Sequence, residues 1–230
     1  VNEPSSDART DTGLIHALLD QLASDFAATP YTKEIASARE EYFAFSGKLF
    51  EDDGEVFEAR SQSFLEWYVI ERPLLDGPPP VIRALEQFGG TAPKTARALA
   101  RIATSHRSLF DIAEVDGNRV ELEDVLGGAR FSVVERRSTI GFEVGALVEA
   151  RVIWEGEEAI FGKTFLCHPK DARMEVLDLV DAALPGNVSR DEIMFRLARL
   201  YLRWHRHGYV NAGRIYKGLG SGNTAGPLVL

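Results

Sequence analysis

Residues 108–168 constrain the fold more than any other stretch, because they alone read as strands, with helix-patterned segments on both sides. Val120 and Leu122 alternate with Glu121 and Glu123, and Val148, Ala150, Val152 and Trp154 alternate with Glu149 and Arg151. Alternation at a period of two puts the two sets on opposite faces, which predicts half-buried strands. Strands are expected near 108–115, 119–125, 129–136, 145–155 and 158–167. Asp116-Gly117-Asn118, Gly127-Gly128 and Glu155-Gly156-Glu157 supply tight turns. Five short strands joined in this way predict a small antiparallel SH3-like or OB-like barrel, or a twisted open sheet. Gly141 and Gly145 bracket a longer loop, where such a barrel would present a ligand surface.

The flanks follow the helical period. Residues 1–10 are polar and aperiodic, so a disordered terminus is expected there. From 11 onward Leu14, Leu18, Leu22 and Phe26 recur at i+4, and after Pro30 a second helix carries Ile35, Tyr42, Phe45 and Leu49. Phe64, Trp67 and Tyr68 mark a central core helix, and two shorter helices follow Pro80 and Pro93. Beyond the strands, Met174, Leu177, Val180 and Leu184 line one helical face, and a last helix runs from 191 to 207. The expectation is an α+β protein: a helical region over 11–107, a β module over 108–168, C-terminal helices over 169–207, and a basic, glycine-rich tail over 208–230.

Charge is unevenly placed. The net charge is -9, yet residues 189–230 hold seven Lys/Arg against two Asp/Glu. An acidic body with a basic end points to an acidic partner or to self-docking. The overall sign disfavours general nucleic-acid binding, where phosphate contacts supply most of the affinity. No apolar run approaches the roughly 20 residues that cross a bilayer. The single cysteine, Cys167, excludes an internal disulfide and fits a reducing compartment, so the expected location is the cytoplasm.

One resemblance can be read from ordered motifs: Tyr42-Phe43…Gly47-Lys48, Phe64-Leu65-Glu66-Trp67-Tyr68, Ser105-His106-Arg107-Ser108-Leu109-Phe110, Glu123-Asp124-Val125-Leu126-Gly127-Gly128 and Glu149-Ala150-Arg151-Val152. Over roughly 39–170 the chain resembles an uncharacterised bacterial family, similar in layout to regions that adjoin SEC-C zinc motifs. The SEC-C cysteines are absent, so the resemblance implies architecture and no metal role.

The strongest functional candidate is the last long helix. Ser189 and Glu192 fit a capping box at its start. Arg196, Arg199, Arg203 and Arg206 fall on one strip about 80° wide, and Arg214 and Lys217 could prolong it. Guanidiniums are permanently charged forks suited to carboxylate or phosphate. Two readings stay open: the stripe docks on the protein's own acidic body, or it recognises an acidic protein partner. Nucleic-acid binding by the same helix is the alternative, and a hydrolase or metal-dependent activity using His106 and His168 is a third. No HExxH, CxxC or Gly-x-Ser-x-Gly pattern supports that third reading, and no cofactor or metal is expected.

Overall fold

Apolar side chains recurring every three or four residues set the helices of the first hundred residues. The computed structural model describes residues 6–218 except 138, 140, 156, 157 and 187, with side chains from residue 13 onward. Helix α1 (Ser6–Asp25) turns Ile15, Leu19 and Leu22 inward. It begins five residues before the expected start at 11, and only residues 1–5 of the expected loose terminus lie outside the described residues. Helix α2 (Thr32–Ser46) buries Ala38, Tyr42 and Phe43. Helix α3 (Glu55–Ile70) is the central one and buries Phe64, Trp67 and Tyr68 as the aromatic spacing required. The Tyr68 hydroxyl donates to the Phe26 carbonyl at 3.0 Å, tying α1 to α3. Helices α4 (Pro80–Phe88) and α5 (Pro93–Ala103) each carry proline in the first turn, where a missing N–H costs no hydrogen bond.

The strands are β1 (His106–Asp116), β2 (Arg119–Asp124), β3 (Arg130–Val134), β4 (Leu147–Glu155) and β5 (Glu158–Cys167). They close into a barrel in the order β1-β2-β3-β5-β4, with β4 returning to β1. Four of the pairings are antiparallel, and β3 runs parallel to β5, with Val133 opposite Ala159. The sheet is therefore mixed, which corrects the antiparallel expectation. The reason is topological: directions cannot alternate all the way round a circuit with an odd number of strands. Phe110, Ile112, Val120, Leu122, Val133, Val148, Val152 and Phe161 fill the barrel. Phe142, in the connection between β3 and β4, packs 5.3 Å from Phe161 and 4.7 Å from Phe165. Phe142 thus plugs the barrel from this loop, and Gly141 and Gly145 turn the loop at positive φ.

The outer face of β4 is covered. Glu149 and Arg151 read as the solvent side of a half-buried strand, yet both are buried because α3 lies across them. Gly162 on β5 is what lets α3 approach: a Cβ there would stand 2.8 Å from Glu66 Oε1 and 3.2 Å from Arg151 Cβ. Gly162→Ala is expected to lower stability by about 1–3 kcal/mol, the usual range for overpacking, measured by urea unfolding. An unchanged midpoint would mean that α3 shifts at no cost.

Helices α6 (Arg173–Ala183), α7 (Arg190–Arg206) and α8 (Ala212–Lys217) complete the structure. Val176, Val180, Ala183, Ile193, Leu197, Leu200, Ile215 and Tyr216 form a second core with Leu109 and Leu147 of the barrel. The buried face of α6 is rotated from the expected one, leaving Met174 and Leu184 exposed. The first half of the expected tail is ordered: α8 buries Ile215 and Tyr216, and the Tyr216 hydroxyl is 2.8 Å from His168 Nδ1. Residues 219–230, the rest of that tail, lie outside the described residues.

Candidate binding groove between α2 and α7

An ionic network joins the helical layer to the barrel and underlies the seam with α7. Arg151 on β4 donates through Nε to Glu66 on α3 at 3.3 Å and through Nη2 to Glu71, the C-cap of that helix. Arg107 on β1 reaches Glu71 at 3.3 Å and Glu149 at 3.1 Å. Burial alone would raise the Glu71 carboxyl, but Arg151 and Arg107 outweigh it and hold it below the usual carboxylate range. Burial likewise opposes the charge on Arg107, and Glu71 and Glu149 restore it. The Arg107 guanidinium also lies 5.7 Å from the ring centre of Phe195 on α7, a cation–π contact that carries the network to the groove.

Helix α7 starts as its sequence requires, with Ser189 Oγ accepting from the Glu192 N–H at 3.2 Å. Only half the capping box forms, because the Glu192 carboxylate turns outward to Arg196 at 2.5 Å. The arginine stripe then divides. Arg199 donates from Nη2 to the carbonyls of Ala44 and Phe45 at 2.8 and 2.5 Å, satisfying orphan acceptors at the end of α2. Gly47, at φ 96°, permits this closeness: a Cβ would sit 3.2 Å from Leu202 Cδ2. Arg206 grips Asp53 with two bonds of 2.7 Å and donates to the Lys48 carbonyl at 2.8 Å. That hydrogen bond holds the Asp53 carboxyl below its ordinary range. Arg203 faces solvent, and Arg214 and Lys217 are exposed on α8, a separate helix. The six cations do not form one band: Arg199 is committed to the end of α2 and Arg206 to the loop that follows it, and Arg196 and Arg203 point outward.

Between α2 and α7 lies a groove of about 960 Å³, walled by Phe43, Phe45 and Phe195 and edged by Lys48, Asp191, Arg196 and Arg199. The sequence pattern assigned Phe45 to the core, but it is 55% exposed. It stacks on Phe195 with centroids 5.8 Å apart and planes at 21°, so the pair forms one aromatic wall. Asp191 is exposed at the groove rim, but neighbouring protein atoms strip part of the hydration from its carboxylate, and this desolvation, reinforced by the charge of Glu71, raises it. Neither Phe195 nor Asp191 stood out in the sequence. The only available signal was a large aromatic just beside the Ile193–Leu197–Leu200 strip.

The residues of the hydrolase reading do not assemble. His106 pairs in register with Val152 in the second half of β4, whereas His168 donates its backbone N–H to the carbonyl of Leu147 at the start of that strand. His106 Nε2 donates to the buried Asp124 at 2.8 Å, and Ser108 Oγ donates to the same carboxylate at 2.5 Å. The carboxylate thus stands between the hydroxyl and the imidazole, which is not a nucleophile–base arrangement. Arg190 Nη1 lies 3.0 Å from the remaining His106 nitrogen. Burial pushes the Cys167 thiol up to about 11, leaving it protonated at neutral pH. Among the described residues no group of three His, Cys, Asp or Glu side chains is placed to hold a metal ion, and no helix is long and apolar enough to cross a membrane.

Fold and site together define an α+β protein in which a closed five-stranded barrel is held between two helical layers, with an aromatic and cationic groove at the α2–α7 seam. The chain belongs to a family of unknown function, DUF7986, which matches residues 18–210 and so takes in the barrel and both walls of the groove. No curated protein and no solved structure matches the chain.

Proposed function

We propose that this is a non-enzymatic binding protein that recognises an acidic protein partner through α7 and the groove beside it. The observation that carries the reading is the coincidence of exposed Phe45 with Lys48, Arg196 and Arg199 around one concave surface. Aromatic and arginine side chains supply most hot-spot energy at protein interfaces. Arg203, exposed two turns beyond Arg196, extends the basic face toward solvent.

The barrel belongs in this proposal to the OB type rather than the SH3 type, a reading supported by the β1-β2-β3-β5-β4 circuit with its one parallel pair. Its outward cations are already matched, Arg130 with Glu123 and Arg119 with Glu158, each at 3.5 Å, so it serves as a scaffold. We also place the family beside the bacterial regions that adjoin SEC-C motifs, on the layout of the motifs quoted above. That kinship assigns no activity.

The test reverses Arg196 and Arg203 together to Glu, sparing the two arginines that hold the end of α2 and the loop after it. Fluorescence anisotropy with labelled glutamate-rich peptides is expected to show at least a tenfold loss of affinity. Thermal unfolding should move little, since exposed substitutions cost within about 0.5 kcal/mol. Binding unaffected by the reversal, or no binding to any acidic peptide at about 50 mM salt, sinks the reading.

A further inference from the structure

The groove has a direction, and that direction restricts what can lie in it. Its α7 wall runs from Ser189 to Arg199, ten rises of helix, or about 15 Å. A strand covers that length in roughly four or five residues. Lys48 and Arg199 stand together at one end, since Gly47 packs directly on Arg199. Asp191 and Glu192 stand at the other end, in the first turn of α7. Between them is the Phe45–Phe195 wall, the apolar part of the surface. Glu192 is answered by Arg196, whereas Lys48 Nζ makes no hydrogen bond or ion pair among the described residues and lies 5.3 Å from the Phe50 ring centre.

Resting on the acidic-partner reading above, we infer that the groove takes a short extended segment with one aromatic anchor and its carboxylates on one side of that anchor. The anchor lies against Phe45 and Phe195, where ring-on-ring packing adds to the area removed from water. The carboxylates reach Lys48, Arg196 and the unused N–H groups of Arg199. Residues on the other side of the anchor are neutral or basic, because Asp191 and Glu192 repel further carboxylates. A uniformly acidic chain fits only half of such a groove. The same polarity opposes nucleic acid, whose phosphates would continue past the anchor into the acidic end.

Three labelled peptides test this against the whole protein: one with a phenylalanine followed by three acidic residues, one with that phenylalanine replaced by alanine, and one with acidic residues on both sides of the phenylalanine. Wild-type protein is expected to bind the first at least tenfold more tightly than the other two, and Phe45→Ala is expected to erase the difference. Amide shifts on binding should centre on Ala44, Phe45 and Phe195. If all three peptides bind equally while Arg196→Glu with Arg203→Glu still abolishes binding, the anchored segment is wrong and the acidic-partner reading survives. If none binds, both fail. Self-association in sedimentation that Phe45→Ala abolishes would identify a second copy as the occupant and overturn the inference.

Discussion

Replacing Arg151 by alanine is expected to cost about 3–5 kcal/mol, the range for removing one partner from a buried ion pair. Its side chain is 2% exposed and serves three groups: Glu66, Glu71 and the Ser105 hydroxyl. Without it Glu66, itself buried, keeps only the Lys163 N–H at 2.5 Å, and Glu71 keeps only Arg107. Glu66 cannot reach water without lifting α3 from the barrel, whereas Glu71, 22% exposed, keeps partial access to it. Urea unfolding at pH 7 measures the loss, and the triple variant Arg151→Met, Glu66→Gln, Glu71→Gln supplies the control. It removes charge from both sides and is expected to recover much of the stability, because an uncompensated buried charge costs more than a missing pair contributes. A loss below about 1 kcal/mol in Arg151→Ala would show that this region is hydrated.

The second large effect is acid sensitivity through His168. Burial pushes its imidazole down to about 4, and its surroundings are Tyr201, Tyr216, Glu149 and Arg60. Nε2 has no hydrogen-bond partner, so nothing in the fold receives the proton of an imidazolium. Because the folded value is depressed, the unfolded chain binds the extra proton first as pH falls. Stability is therefore complete above about pH 6.5 and declines until about pH 4, with a total near 3 kcal/mol. Depressed carboxylates such as Asp53, Glu71 and Asp124 lose their contribution lower down, from the ordinary carboxylate range downward. Asp191, which is raised, acts in the opposite sense. The interval from pH 6.5 to 5 thus isolates the histidine. Wild-type protein is expected to lose about 2 kcal/mol across it, and His168→Gln should show a nearly flat profile. Equal slopes in the two proteins would dismiss the histidine as the cause.

Much of the barrel was legible because alternation inside a closed sheet has few exceptions. The Val120/Leu122 and Val148/Ala150/Val152 series point into it, and the turns at Gly117 and Gly128 carry the positive φ that glycine permits. What alternation could not reveal was the burial of the second face. Glu149 and Arg151 obey the pattern of a wetted face, and their cover, Glu66 and Glu71, lies some 80 residues earlier in the chain. The arginine strip was equally readable as helix geometry. Its division was not, because Arg199 bonds the carbonyls of Ala44 and Phe45, and backbone oxygens leave no trace in residue identity, while the Asp53 carboxylate that holds Arg206 lies 153 residues away in sequence. Phe45 was misassigned because periodicity locates a stripe but not its edge, and an aromatic at the rim of α2 looks the same whether it closes a core or lines a groove.

The network under α3 bears on how this architecture could have been inherited. Two of its guanidiniums and one carboxylate belong to strands, and the other two carboxylates belong to a helix of the preceding layer and its C-cap. Excised alone, the barrel would keep its Arg107–Glu149 pair but carry an unmatched Arg151 and an apolar flank at Ile153 and Ile160 that the helices cover. Such a barrel is not a portable module. It could not be shuffled between proteins as an independent cassette, and homologues should retain helices and strands together or lose both.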